Sequence, residues 1–475
     1  MKKEKLSCIL LSFLFLSTAS QVFTTPTEIH RGFSVVPDPS ISGSQILLAD
    51  SSSDFSLSFL RLGSSHLALA VVHSPSGEPV WLANPERTAR WSSQTTLSFN
   101  GDLVLSDAPS GVFWSSKTDG ERLRLRSGNL QVLGPSSSVL WQSFDFPTDT
   151  LLVNQNFTAN MTLRSPNGLY SMMVEHDYLS LFAEFERGTS QLYWKRTAMQ
   201  TKAQIVDGLG PIYARVDPNG FLGLYQTEKA LVDVLAFSTY YRAVNGTRRL
   251  QMESDGNLRA YYWNSGKWVL DFSAIQAPCG LPSECGPYGL CHPDAGCTCL
   301  DDRVKYGPGG CCPEFDDFCQ KDKKKNQFQV VQRTDVDVKY KTLVASEKAV
   351  SAEECSRRCI QNCRCWAALY SNSSEMCYRV DFPVRTVVAS VEVGKVAFFK
   401  VRRREKEVRV GVAGVWGFIC GAAVLSGVAG LVAYGVWRWR RQRRSNGLLS
   451  EEGLEPGPYR DLKEREIGVE LYNKK

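Results

Sequence analysis

Short runs of alternating apolar and polar residues fill most of the first 270 positions of the chain. Residues 56–60 alternate serine with apolar residues, whereas 67–72 and 103–105 are short apolar runs, and the last of these follows an Asn-Gly turn at 100–101. Such alternation is typical of half-buried strands, and Gly, Ser, Asn and Asp separate the runs at strand-length intervals. The pattern predicts a mainly β protein of many short strands, without helical periodicity in this part.

A second pattern is the uncharged apolar run 410–436, which lies between two clusters of arginine. As a helix it would be about 40 Å long, which exceeds the ~30 Å hydrocarbon core of a bilayer. Trp437 and Trp439 lie where an interfacial aromatic belt is expected. A core helix is the alternative, but core helices are rarely this long or flanked by arginine on both sides. The run predicts one transmembrane helix at 410–436 and a tail at 437–475.

Residues 1–20 have the pattern of a secretory signal peptide. Lys2, Lys3 and Lys5 form a basic start, residues 6–16 are apolar, and 17–20 are small. The large segment before the span is therefore predicted to be extracellular and the tail cytoplasmic. This arrangement is a single-pass type I protein of the plasma membrane.

Thirteen of the fifteen cysteines lie between Cys279 and Cys377, within the predicted extracellular segment. Cysteines of exported segments form disulfides, so we expect oxidised small modules rather than zinc sites. An odd number cannot pair within one chain, and we place the surplus at the adjacent Cys311 and Cys312. The predicted disulfide cysteines are Cys279, Cys285, Cys291, Cys297, Cys299, Cys311, Cys319, Cys355, Cys359, Cys363, Cys365 and Cys377.

The cysteine block divides into two modules. Residues 275–312 have the cysteine spacing of an EGF-like module, in which six cysteines leave 15 pairings open. Ser351 and Glu354 then form a capping box at a helix start, and Cys355 and Cys359 share one face of that helix. This segment resembles a PAN (apple) domain at 319–400. The resemblance implies that Cys377, on the sheet, is the partner of one helix cysteine.

The twelve residues WQSFDFPTDTLL at 141–152 closely resemble a signature of plant bulb-type, mannose-binding lectin domains, and 80–84 and 112–116 resemble the same family. The resemblance implies a β-prism of three four-stranded sheets at 30–153. Residues 163–272 resemble the S-locus glycoprotein segment, best at 249–261, which implies a second lectin-like prism. The whole order resembles plant S-domain receptor-like kinases. The tail has no glycine-rich loop or catalytic Asp motif, so we expect no kinase in it.

Bulb-type lectins bind mannose through the pattern Q-x-D-x-N-x-V-x-Y, whose alternate side chains share one strand face. The pattern is degraded around Asn100 and Asn129. It stays closest at Glu253, Asp255, Asn257 and Tyr261, which are the candidate carbohydrate-binding residues, although Arg259 replaces the apolar contact.

Catalysis, cofactors and metal binding have no support in the sequence. The histidines show no triad or metal-ligand spacing, so each is predicted to be a surface or turn residue. The small net charge of +6 argues against nucleic-acid binding. Sequons predict glycosylation at Asn156, Asn160, Asn245 and Asn372. The histidines are His30, His66, His73, His176 and His292.

The predicted function is extracellular recognition by a receptor-like glycoprotein or co-receptor. Its ligand is a mannose-type glycan or a glycoprotein, and the alternative is protein–protein recognition by a degenerate lectin fold. Ala413, Gly417 and Gly421 form a small-xxx-small face in the predicted span. This face is predicted to bind a receptor-like kinase or a second copy of the chain.

Overall fold

The computed structural model describes most of the first 402 residues and one later segment. The predicted signal peptide, Cys312 and most of the predicted span and tail lie outside the described residues. The described residues are 25–184, 190–198, 211–227, 230–282, 284–301, 303–307, 310–311, 318–319, 328–334, 336–338, 344–381, 384, 387–389, 394–402 and 427–441.

The first part of the chain forms three sheets from thirteen short strands, which confirms the predicted mainly β structure. The sheets have the strand orders β3-β4-β5-β6, with β7 also on β5, then β10-β9-β8-β2 and β1-β11-β12-β13. Short 3-10 turns follow at Pro135–Ser137 and Ser143–Asp145. The strands are β1 (Glu28–His30), β2 (Phe33–Val35), β3 (Ser44–Ala49), β4 (Phe55–Leu62), β5 (His66–His73), β6 (Glu78–Leu82), β7 (Ala89–Arg90), β8 (Thr95–Phe99), β9 (Leu103–Asp107), β10 (Gly111–Ser115), β11 (Arg122–Arg126), β12 (Asn129–Leu133) and β13 (Val139–Gln142).

The three sheets enclose one core, and we call this group the first prism. Phe59, Phe99 and Leu123 come from different sheets and are all fully buried in that core. At the outer strands, Trp81, Trp114 and Trp141 contact one another edge to face, with ring centroids 5.5 to 5.9 Å apart. Such aromatic pairs stabilise a core beyond the apolar area they bury.

The next part repeats this plan with three four-stranded sheets around their own core, which we call the second prism. The strand orders are β14-β23-β24-β25, β15-β20-β21-β22 and β16-β17-β18-β19. The second prism therefore begins at Thr150, earlier than the predicted start at 163. The strands are β14 (Thr150–Leu152), β15 (Asn156–Phe157), β16 (Leu163–Arg164), β17 (Tyr170–Val174), β18 (Tyr178–Glu184), β19 (Ser190–Thr197), β20 (Tyr213–Asp217), β21 (Phe221–Thr227), β22 (Ala230–Ala236), β23 (Arg248–Met252), β24 (Leu258–Asn264) and β25 (Lys267–Ser273).

The cysteine-rich part contains a helix and two sheets, ordered β28-β34-β31-β32-β30 and β27-β26-β33-β29. Strand β26 of the cysteine hairpin pairs with β33, so the EGF-like and PAN segments share a sheet. A 3-10 turn at Pro278–Gly280 precedes them. The elements are β26 (Gly289–His292), β27 (Gly296–Cys299), β28 (Phe328–Thr334), β29 (Val336–Val338), β30 (Ala345–Lys348), α1 (Ala352–Gln361), β31 (Cys365–Ser371), β32 (Met376–Asp381), β33 (Val387–Ala389) and β34 (Lys395–Arg402).

Six disulfides link this part. Helix α1 is joined to β32 by Cys355–Cys377 and to β31 by Cys359–Cys365. The sulfurs of Cys285, Cys291 and Cys297 lie within 4.8 Å of one another, but each is in a disulfide and offers no thiolate to a metal. The other bonds are Cys279–Cys291, Cys285–Cys297, Cys299–Cys311 and Cys319–Cys363.

Helix α1 begins at the predicted cap, with one difference. The Ser351 hydroxyl accepts a hydrogen bond from the Glu354 backbone N–H at 3.2 Å. The Glu354 carboxylate returns to the N–H of Val350, at 2.9 Å, rather than to that of Ser351. The return bond therefore closes one residue earlier than in a standard capping box.

Residues 427–441 are helical and include the last part of the predicted span. Over the described part of the chain, no helix combines the length and the apolar character needed to cross a bilayer.

Candidate functional site

The candidate carbohydrate residues lie around the hairpin that joins β23 to β24. Arg259 donates hydrogen bonds to the carboxylates of Glu253 and Asp255, the latter at 2.7 Å. The Tyr261 hydroxyl also donates to Glu253. Burial opposes the charge of Arg259, but its hydrogen bond to Asp255 and the charge of Glu253 outweigh burial and raise its pKa. Burial and the bond to Glu253 raise the pKa of Tyr261.

Asn257 lies at the same hairpin but is only 1% exposed. Its Nδ2 donates to the carbonyl of Ile275 at 2.7 Å, and its Oδ1 accepts from the N–H of Ile275 at 3.1 Å. These two bonds tie the hairpin to the segment after β25. The amide of Asn257 therefore has a structural role and does not face a ligand.

The glycine of this hairpin is required by its backbone. Gly256 has a φ of +88°, and a Cβ there would lie about 3.1 Å from the ring of Tyr170. A larger residue would be strained in the left-handed region and would press on a buried ring. The conformation of the hairpin therefore depends on the positive φ of Gly256 and on its close approach to Tyr170.

Ion pairs within the candidate site engage its carboxylates. The carboxylate oxygens that would accept from sugar hydroxyls are instead paired with Arg259, whose side chain is 20% exposed. A sugar hydroxyl would have to compete with Arg259 for these carboxylates. The structure thus brings Glu253, Asp255 and Tyr261 together but leaves their acceptors occupied.

The two degraded copies of the motif have structural roles. Asp102 accepts hydrogen bonds from Ser115, Ser116 and the backbone N–H of Lys117, at 2.6 to 2.8 Å. Asn129 donates to Gln142 at 2.9 Å. In both copies, as at Asn257, the polar side chain joins a hairpin turn to the segment that follows the outer strand.

Two further features were missed by sequence reasoning, and the first is His73. The prediction of a surface or turn position is wrong for this residue, because it is 1% exposed. Its ring centroid lies 4.7 Å from that of Trp268 and 5.1 Å from that of Trp263, so it packs between the prisms. Burial lowers the pKa of His73. Its position at the end of a strand gave no signal of this contact.

The second missed feature is an open groove of about 520 Å³ in the second prism. Trp194, Arg196 and Phe272 line it, together with Gln276. A neighbouring groove of about 350 Å³ shares Trp194 and Gln276. Both volumes lie in the range of small-ligand sites.

Family models match three segments of the chain. The D-mannose binding lectin model matches residues 79–172, the S-locus glycoprotein domain matches 224–304, and the PAN domain matches 319–395. The chain is 44% identical to a PAN domain-containing protein of Arabidopsis thaliana, over 92% of this chain and 90% of that protein.

The other relatives are longer. Two G-type lectin S-receptor-like serine/threonine-protein kinases of Arabidopsis thaliana are 26% and 28% identical, over 69% and 86% of this chain and 43% and 51% of the kinases. The chain thus spans about half the length of these kinases. A two-domain, fetuin-binding lectin of Scilla campanulata is 19% identical over 52% of this chain and 94% of the lectin, but its TM-score of 0.19 supports no conclusion. From the match to the PAN domain-containing protein and the three family models, the chain belongs to the plant S-domain family, whose members combine lectin, S-locus glycoprotein and PAN domains.

Proposed function

We propose that this protein is a non-enzymatic, receptor-like recognition protein of the plant cell surface that binds extracellular carbohydrate or glycoprotein ligands. The observation that carries the proposal is the pair of lectin-like prisms joined to a disulfide-linked PAN region. The prisms are held together by the ion pair of Arg249 with Glu78 and by the packing of His73 against two tryptophans. A fixed pair of domains offers a preorganised surface, which lowers the entropy cost of binding.

Mannose binding through Glu253, Asp255, Asn257 and Tyr261 is the weaker form of this proposal. The pairing of Arg259 with both carboxylates and the burial of Asn257 both oppose it. Each hydrogen bond to a sugar hydroxyl contributes on the order of 1 kcal/mol, and it would compete with the hydrogen bonds that Arg259 already donates to these carboxylates.

Protein recognition without sugar is the second candidate function. It is favoured because the carboxylates of Glu253 and Asp255 already accept hydrogen bonds from Arg259. The degraded motif then serves as a structural scaffold and not as a sugar site. A glycan array probed with the detergent-solubilised full chain separates the two functions. Binding of the chain to any class of glycan would support carbohydrate recognition. Absence of binding to every class would support recognition of a protein surface.

We also propose a placement in the plasma membrane with the prisms outside. The support is the predicted signal peptide at 1–20, the apolar run 410–436 and the relatives named as receptor-like kinases. The predicted glycosylation sites Asn156, Asn160, Asn245 and Asn372 are all exposed, as glycan attachment requires. In this placement the protein acts as a co-receptor, with Ala413, Gly417 and Gly421 as its contact face toward a receptor-like kinase or a second copy.

A further inference from the structure

The six sheets of the two prisms share one irregularity. In each sheet one edge strand carries a β-bulge, so that one residue of this strand has no residue paired opposite it. The residue after the bulge is a tryptophan in every sheet of the first prism and differs between sheets in the second. The bulged residues are Val80, Phe113, Leu140, Tyr193, Val232 and Asp271, and they are followed by Trp81, Trp114, Trp141, Trp194, Asp233 and Phe272.

The residues at these equivalent positions make different contacts in the two prisms. In the first prism the three tryptophans contact one another and fill the space between the sheets. In the second prism only Trp194 is retained. Asp233 pairs with Arg196, through bonds of 2.7 and 3.1 Å, and Phe272 packs on Phe237 at a centroid distance of 5.5 Å. Trp194 is equivalent by register to the tryptophans of that cluster, and it lines both grooves.

The groove has a mixed lining. The indole of Trp194 is half-buried against the core, so one part of it faces the open space. The bulge places Tyr193 inside, where its hydroxyl donates to the carbonyl of Gly256 and anchors the strand below the groove. Arg196 and Asp233 form a neutral, planar pair beside the indole, and the amide of Gln276 is exposed at the opposite wall.

We propose that this groove binds a neutral oligosaccharide, with one sugar ring stacked on Trp194. The inference rests on the proposed function and names the site for it. A sugar ring has an apolar face for the indole of Trp194 and a rim of hydroxyls for the exposed amide of Gln276, which lines both grooves. Two grooves that share Trp194 accommodate successive rings, so a chain of sugars fits better than a single one.

The charge of Arg196 is paired with Asp233. The ammonium of Lys195, which also lines the groove, lies over the ring of Tyr178, 3.8 Å from its centroid. With both cations engaged in this way, the lining favours a neutral ligand over an acidic one.

The test uses the full chain in detergent on an array of neutral and uronate-bearing oligosaccharides, followed by titration of the best neutral ligand. Trp194→Ala removes the stacking surface. Ala236→Trp fills the groove from an exposed position and leaves the core intact, so it decides the outcome if Trp194→Ala does not fold. Tyr241→Ala, which removes an exposed aromatic ring of the second prism that does not line the groove, is the matched control.

The expected result is at least a roughly ten-fold loss of affinity in both groove variants and unchanged affinity in Tyr241→Ala. Wild-type affinity in the groove variants, an equal loss in Tyr241→Ala, or selective retention of uronate-bearing chains would overturn this site and leave carbohydrate recognition in place. Failure of the wild-type chain to bind any glycan would overturn both the site and the carbohydrate form of the proposed function.

Discussion

Arg249 of the second prism pairs with Glu78 of the first, with 2.7 Å between Nη1 and Oε2. The guanidinium of Arg249 also lies over the ring of Trp268, 4.1 Å from its centroid. The side chain of Arg249 is 7% exposed, whereas that of Glu78 is 48% exposed. The contact therefore brings a buried cation of one prism to a half-exposed carboxylate of the other and fixes the two against each other.

We predict that Glu78→Gln weakens this contact. Removal of the carboxylate leaves the charge of Arg249 buried and unpaired, which costs about 1 kcal/mol after allowance for the exposure of Glu78. The expected result is a lower free energy of unfolding and faster hydrogen exchange at β6 and β23. Asp119→Asn is the control, because the pair of Asp119 with Arg31 is exposed. Equal effects of the two substitutions would show that the interface pair has no special role.

His73 predicts a dependence of stability on pH. Its pKa is lowered by burial, with Arg249 acting in the same direction and Asp54 and Glu78 against it. The unfolded chain binds the proton near the ordinary value of 6.5, before the folded chain does. Stability is therefore full above that value and falls as the pH drops from it toward the lowered pKa of the folded state.

The measurement is the unfolding free energy of the full chain between about pH 7.5 and 5. His73→Phe keeps an aromatic ring against Trp263 and Trp268 but cannot be protonated, so its curve of stability against pH is expected to be flatter over this range. His30→Phe, at an exposed position, is the control. Parallel curves for wild type and His73→Phe would assign the pH dependence to other groups.

The roles of Asn257 and Ser254 can be separated by stability alone. Asn257→Ala removes two buried hydrogen bonds to Ile275 and leaves that backbone unsatisfied, so we expect a loss of about 1–3 kcal/mol in unfolding free energy. Ser254→Ala, at an exposed position of the same hairpin, should change little. Unchanged stability in Asn257→Ala would return this residue to the candidates for ligand binding.

The sequence predicts those parts of the fold where one local signal is strong. The alternation of serine with apolar residues marks β4, a continuous apolar run marks β5, and the spacing of Cys355 and Cys359 places both on the buried face of α1. Strands of two or three residues, such as β15 and β16, are too short to show alternation. They are formed by pairing with distant strands, so the start of the second prism could not be located from the sequence.

The candidate site was predictable only in part, for a related reason. The motif assumes that alternate residues of one strand share a face, whereas Glu253 and Asp255 lie in the turn between β23 and β24 and meet Tyr261 through their hydrogen bonds with it and with Arg259. It could not show that Asn257 bonds to Ile275, since that contact depends on the path of the chain after β25. The groove at Trp194 depends on its equivalence to the tryptophans of the first prism. The internal repeats are too imperfect for this equivalence to be read from the sequence.

The disulfides give a prediction based on loop length. Cys355 and Cys377 close a separation of 22 residues, and Cys359 and Cys365 one of 6. A longer closed loop restricts the unfolded chain more, so removal of the first bond should cost about 3 kcal/mol and removal of the second less. The measurement is the unfolding free energy of the two double Cys→Ser variants. A larger loss for the shorter loop would show that packing around the sulfurs dominates over chain entropy.

Alkylation of the native full chain tests the oxidation state of the cysteine block. We expect at most one or two of the thirteen cysteines between Cys279 and Cys377 to react before reduction. The six bonds of the structure account for twelve of them. Broad labelling, or zinc in the purified protein, would contradict the disulfide assignment.

The last prediction concerns association through the proposed span. Ala413, Gly417 and Gly421 recur every four residues and fall on one face of a helix. Small side chains on this face let two backbones approach and gain dispersion contacts that lipid tails do not provide. Gly417→Ile with Gly421→Ile is therefore expected to reduce cross-linking of the full chain, to itself or to a co-expressed receptor-like kinase, at unchanged surface expression. Gly430→Ile is the matched control, since it lies two and a half turns of helix beyond Gly421, on the opposite face. Equal cross-linking in all variants would move the contact from the span to the extracellular domains, where the PAN region would be tested next.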